Sequence, residues 1–146
     1  MTGKILTFHL NNELFGIDIG LVKEINRKIK YTPIPGGPEY IIGLFNMRGQ
    51  VVTIFDFVYK LWDKKGHIPD SPTCIILKSQ SMGNEHIGFL VDRAEDVLDV
   101  SPELCEPLPG NIDHIDQQYI REMVKFEDDL IMIVNPDKIL SMEDHN

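Results

Sequence analysis

The chain has 146 residues, 42% of them hydrophobic and 25% charged, with 14 Lys and Arg against 23 Asp and Glu for a formal net charge of −9. This is the composition of an ordinary globular protein of one domain or two small lobes. The acidic balance and the scattered basic residues argue against a nucleic-acid surface, because neutralising phosphates takes clustered Lys and Arg.

In chain order, Ile5, Leu6, Phe8 and Leu10 roughly alternate with polar residues, Asn11-Asn12 supplies a turn, and Leu14-Phe15-Gly16-Ile17-Asp18-Ile19 returns, which predicts a hairpin. Leu21, Val22 and Ile25 continue the apolar pattern as a short helical turn or a bent strand. Pro33 to Pro38 is an ordered loop, since proline lacks a donor and glycine loosens the backbone. A second hairpin spans Gly43 to Phe57. Val, Ile, Thr and Phe favour a pleated, half-buried surface, and Gly49 gives the positive φ that a short turn requires. Arg48 sits in that turn, where a guanidinium either reaches solvent or faces a carboxylate. Val58 to Trp62 is read as one helical turn, and Asp63 to Pro72 separates the halves.

The second half repeats the first. Cys74 to Leu77 answers Ile5 to Phe8, and His86 to Val91 answers Leu14 to Ile19 with Gly88 in the place of Gly16. Asp96-Val97-Leu98 follows as Glu24-Ile25 did, Leu108-Pro109-Gly110 echoes Ile34-Pro35-Gly36, and Tyr119-Ile120 echoes Tyr40-Ile41. Asp129 to Asn135 matches Gln50 to Asp56, and Asp137 to Leu140 matches Val58 to Leu61. The expected fold is therefore all-β with a few short helices: two small five-stranded antiparallel barrels, pseudo-duplicated and packed together, since closure removes exposed edges. The first barrel is expected in residues 1–65 with a terminal helix from 135–146, and the second in 66–134.

Catalytic and metal-binding patterns are weak. Cys74 opens an apolar strand and reads as a small core residue; neither it nor Cys105 lies in a zinc-ligand spacing. His9, His67, His86, His114 and His145 show no metal-gathering spacing, and there is no nucleophile elbow or phosphate-cradling glycine loop. Asp113-His114-Ile115-Asp116 is the best catalytic lookalike, but it falls in a polar loop. Ser101-Pro102-Glu103 reads as a helix start. Asp92 resembles a phospho-acceptor aspartate, a reading rejected because the alternating helices of such a fold are missing. Neither an enzyme nor a cofactor is expected. Met1-Thr2-Gly3-Lys4 lacks the core of a secretory signal and no run of about 20 apolar residues offers a membrane span, so a cytoplasmic location is expected.

One ordered set of segments is specific. Phe15-Gly16-Ile17-Asp18-Ile19, Val22-Lys23-Glu24-Ile25, Ile34-Pro35 with Pro38, Tyr40 to Gly49, and Val51 to Asp56 resemble the CheW-like family. Ile87 to Asp92 and Asp96-Val97-Leu98 extend the resemblance over nearly the whole chain. It implies a free-standing, non-enzymatic coupling protein of bacterial chemotaxis. Its partners would be a CheA-type histidine kinase and the cytoplasmic tips of chemoreceptors, in arrays or rings, with no nucleic acid and no direct membrane insertion. Carried over position by position, Val22, Glu24 and Gly43 match positions implicated in receptor coupling, and Arg48 matches the turn arginine. Met47 replaces the usual Leu or Ile, Thr53 stands where proline is common, and Phe57-Val58 replaces Leu-Arg, which leaves Asp56 a structural carboxylate, at a strand end or capping a helix. Those family positions, together with an arginine flanked by apolar strand residues, imply that Glu24 and Arg48 would form a charge-assisted pair if they converge, at the rim of an apolar groove of residues such as Val22 and Phe45. The alternative is a small-molecule-sensing barrel, although about eight strands are needed to enclose a ligand. Ser141 to Asn146 reads as a polar, disordered tail.

Overall fold

The computed structural model describes residues 3–68, 70, 72–78, 85–110, 115–135 and 137–138. Asp113, His114, Leu140 and the 141–146 tail lie outside the described residues. The first half forms β1 (Gly3–Leu10), β2 (Glu13–Asp18), β3 (Val22–Asn26), β4 (Thr32–Pro33), β5 (Ile41–Met47), β6 (Gln50–Phe55) and helix α1 (Phe57–Trp62). The second half forms β7 (Thr73–Leu77), β8 (Glu85–Val91), β9 (Arg93–Val100), β10 (Cys105–Glu106), β11 (Ile120–Phe126) and β12 (Asp129–Val134).

Both predicted hairpins form. Asn11 and Asn12 join β1 to β2 with φ of 53° and 65°, and Arg48 and Gly49 join β5 to β6 with φ of 51° and 85°. Two successive left-handed residues match the twist of the flanking strands. The segment read as either a helical turn or a bent strand is both: a 3-10 turn at Ile19–Leu21 leads into β3. Thr32-Pro33, at the start of the predicted loop, pairs with β5 as a short edge strand, a place where a missing N–H is tolerated. Asp56 caps α1, accepting from the Tyr59 amide at 3.1 Å and from the Gly66 amide at 2.8 Å. Pro102 to Leu104 forms a 3-10 turn with proline at its start, but Ser101 makes no side-chain cap bond.

The strands assemble into two six-stranded sheets: sheet I in the order β10-β11-β12-β2-β1-β9, and sheet II in the order β4-β5-β6-β8-β7-β3. This keeps the all-β, duplicated architecture but corrects the expectation of closed five-stranded antiparallel barrels, since each sheet has six strands. Each sheet has two edges and contains one parallel pairing, β12 with β2 and β6 with β8. The parallel pairs arise because each sheet takes strands from both halves. The hairpin β1–β2 lies beside β9 and β12, and β7–β8 lies beside β3 and β6.

The duplication is visible in the register. Gly16 pairs with Ile133 across one parallel junction, and Gly88 with Ile54 across the other. A Cβ on Gly16 would lie 2.9 Å from Ile5 Cδ1, and one on Gly88 would lie 2.8 Å from Cys74 Sγ. Ile5 and Cys74 are themselves counterparts in the repeat.

Both sheets are strongly curled. In sheet II, β5 and β3 are four interstrand steps apart, about 19 Å if flat, yet Asn26 Nδ2 on β3 lies 3.7 Å from Met47 Sδ on β5. Side chains, not backbone hydrogen bonds, bring the ends together. Each curl wraps its own apolar cluster: Ile5, Val100, Val124, Ile131 and Ile133 in sheet I, and Ile29, Met47, Val52, Ile54, Cys74, Ile76 and Leu90 in sheet II. The largest cluster joins the two sheets. There Phe8 and Phe15 of sheet I meet Phe55 and Phe89 of sheet II and Phe57 of α1, with Phe8 and Phe89 centroids 5.4 Å apart and Phe57 and Phe89 centroids 5.3 Å apart. Strand β7 is buried along its whole length because alternate residues serve the two clusters: Ile75 and Leu77 the shared one, Cys74 and Ile76 the inner one. Burial pushes the Cys74 thiol up to about 12, so it acts as a small apolar residue.

Candidate functional site

The turn between β5 and β6 meets β3 at the seam of sheet II. Arg48 projects from the turn and donates through Nη2 to Glu24 Oε1 at 2.6 Å and through Nη1 to Glu24 Oε2 at 3.3 Å. This two-point geometry matches a guanidinium to a carboxylate and is stronger than a single contact. The arginine side chain is 71% exposed and the glutamate 23%. The Arg48 hydrogen bonds hold the Glu24 carboxyl below the usual carboxylate range, assisted by a hydrogen bond from Asn26 and opposed by partial desolvation. The same contact raises the guanidinium further.

Local structure explains why these groups meet. Asn46 Oδ1 accepts from the Gly49 amide at 2.9 Å and closes the turn, while Arg48 sits in the left-handed region, sparsely occupied by bulky residues. Across the seam, a register shift in β3 between Val22 and Glu24 sets Glu24 opposite Ile76. Asn26, two residues further on, shares the face of Glu24 and donates to Oε2 at 2.8 Å.

The other candidate residues are distributed around this pair. Val22 pairs with Leu77, is half-buried, and packs on the cluster between the sheets. Phe45 is half-buried on the inner cluster of sheet II. The structure thus brings Glu24 and Arg48 into contact but assigns Val22 and Phe45 to different apolar clusters. Gly43 faces β4, where a Cβ would lie 2.4 Å from the Thr32 carbonyl oxygen; only glycine admits the edge strand at that distance. Leu44 and Val51, 38% and 46% exposed, add apolar surface on the Arg48 hairpin that sequence reading passed over. Asn26 was also missed, although its spacing from Glu24 along a strand was available as a signal.

Elsewhere, His9 Nε2 and Arg93 Nε lie 2.8 Å and 2.7 Å from Glu95 Oε1 at the start of β9. A cleft lined by Leu10, Asp56, Val58, Gly66 and Leu90 holds about 10 Å³, the space of a single water rather than of a metabolite.

The CheW-like domain model matches residues 4–144. The chain belongs to the CheW-like family. Among similar family members, Chemotaxis protein CheW of Klebsiella aerogenes is 31% identical over 97% of this chain and 83% of its own length. The protein of the same name from Bacillus subtilis is 29% identical over 96% and 88%. The crystal structure of the scaffolding protein TtCheW from Thermoanaerobacter tengcongensis superposes with a TM-score of 0.78 at 29% identity, covering 92% of this chain and 90% of that one. The seam of sheet II therefore lies within a CheW-like fold.

Proposed function

We propose that this protein is a non-enzymatic chemotaxis adaptor that couples a CheA-type histidine kinase to the cytoplasmic tips of methyl-accepting chemoreceptors. In this reading it works in the cytoplasm, within receptor arrays, by binding and geometry alone. Membership of the CheW-like family and likeness to chemotaxis and scaffolding proteins support the general role.

The observation that carries the receptor site is the two-point Arg48–Glu24 pair. It is an exposed charge held in one orientation on a hairpin whose outward face carries Leu44 and Val51, while Phe45 on the opposite face anchors the hairpin to the inner cluster. A receptor helix laying an apolar stripe across the hairpin would find a fixed cation to set its register. Val22 lies two residues from Glu24 on β3 and packs on the cluster between the sheets, anchoring the strand that carries the glutamate, and Gly43 keeps the hairpin close to β4. The adaptor's second surface, for the kinase, belongs to a different face, so that one chain bridges two partners and avidity multiplies modest affinities.

The test is reconstitution of the chain with a CheA-type kinase and receptor signalling fragments, read by co-sedimentation and kinase phosphorylation. Wild type assembles a ternary complex and supports kinase control, whereas a folded Arg48→Asp variant loses receptor assembly. Glu24→Arg combined with Arg48→Glu restores more binding than either reversal alone; strict additivity would exclude the pair as the recognition unit. A large saturable thermal shift with a metabolite, without ternary assembly, would replace the adaptor reading with a sensing domain.

A further inference from the structure

The two sheets share one strand order, so each residue at one seam has a counterpart at the other. In sheet I, Leu98 pairs with Ile5; in sheet II, Asn26 pairs with Cys74, the counterpart of Ile5. Phe126 and Asp129 flank one hairpin turn as Met47 and Gln50 flank the other. Leu98 and Phe126 both pack on the inner cluster of sheet I, which makes that seam apolar. At the matching place in sheet II an amide replaces the leucine.

A half-buried amide is costly unless its hydrogen bonds are made. Asn26 makes them in one direction, from Nδ2 to Glu24 Oε2 at 2.8 Å and to the weak acceptor Met47 Sδ at 3.7 Å. It thereby ties the carboxylate to the body of the hairpin that carries Arg48. We propose that Asn26 is a positioning residue: it fixes the Glu24 carboxylate so that Glu24 grips one edge of the Arg48 guanidinium and leaves the other donors for a partner. Of five guanidinium N–H groups, Glu24 engages two, one on each Nη. With a side chain 71% exposed, the remaining three suit an oxygen acceptor, and the chemistry that fits is a carboxylate-bearing helical segment. This last step rests on the receptor-binding reading above; the positioning role does not.

The test separates them. In the full-length chain, Asn26→Leu copies the seam of sheet I. Carboxyl NMR should show Glu24 titrating closer to the usual range than in wild type, and Arg48 guanidinium rotation should become several-fold faster. Asn26→Asp, nearly isosteric but without the amide donor, should act in the same direction and covers the case in which the leucine variant fails to fold. A folded variant with unchanged Glu24 titration and unchanged Arg48 rotation would overturn the positioning role. Binding to a receptor signalling fragment should fall several-fold in the same variants. Unchanged binding despite a shifted Glu24 titration would overturn the link to the partner while leaving the positioning role standing.

Discussion

Sheets I and II follow the same strand order but close their seams with different chemistry. Sheet I brings Leu98 and Phe126 onto an apolar cluster, whereas sheet II joins Asn26 to Met47 and Glu24 to Arg48. The apolar seam is held by burial, which offers no charge to be screened or titrated. The polar seam is held by directional contacts at an exposed rim, where ion pairs contribute little stability. Duplication supplied two equivalent frames, and the polar seam holds the exposed Arg48 charge in a two-point pair.

The contrast between the seams rests on one shared core, and the largest expected effect tests that core. Phe89→Ala removes a ring packed against Phe8, Phe55 and Phe57 and should cost about 3–5 kcal/mol in chemical denaturation. Both sheets should lose hydrogen-exchange protection together; separate loss would mean that they are independent units.

The parallel junctions come next. A Cβ at Gly88 would meet the Ile75 backbone oxygen at 3.0 Å as well as Cys74, whereas the three atoms nearest to one at Gly16 belong to isoleucine side chains. Gly88→Ala should therefore destabilise by about 1–3 kcal/mol, and Gly16→Ala by less, measured as a shift in denaturation midpoint. Equal effects would show that the isoleucines of sheet I are as rigid as backbone.

A smaller difference is expected at the two strand ends. Asp56 accepts two backbone N–H groups, while Asn135 accepts that of Asp137 at 3.1 Å. Asp56→Ala should cost about 1 kcal/mol, in the range of a lost helix cap, and more than Asn135→Ala in the same thermal-melt series.

The smallest effect is pH. Because the folded state holds Glu24 below its ordinary value, the pair's contribution is complete above the usual carboxylate range and is lost as pH falls through the lowered value. Carboxyl NMR should show Glu24 still ionised where solvated glutamates are half protonated, and Arg48→Ala should remove most of that difference.

The hairpins were legible in the sequence because their signals are local. Alternating apolar residues select a face, and Asn11-Asn12 and Arg48-Gly49 occupy turns that need left-handed backbone. The repeat was legible for the same reason, down to Gly16 and Gly88. Asp56 was readable as a structural carboxylate, at a strand end or capping a helix, and the structure makes it the cap of α1. The Glu24–Arg48 contact was legible only as a condition, since 24 residues separate the two side chains. Asn26 escaped because its spacing from Glu24 signals a shared face only once the segment is a strand, and the sequence left a helical turn open there.

By itself, then, the sequence determined the all-β class, the duplication, the two hairpin turns and the residue types available at the turn of β5–β6. These follow from side-chain period, proline and glycine chemistry, and short-range hydrogen bonding, which act over a few residues. Tertiary structure alone decided that β1–β2 lies beside β9 and β12 while β7–β8 lies beside β3 and β6, and that both sheets stop short of closed barrels. It also decided that the seam of sheet II gathers Glu24, Asn26, Met47 and Arg48. Such choices depend on which distant strands bury the most surface together, a property of the whole chain.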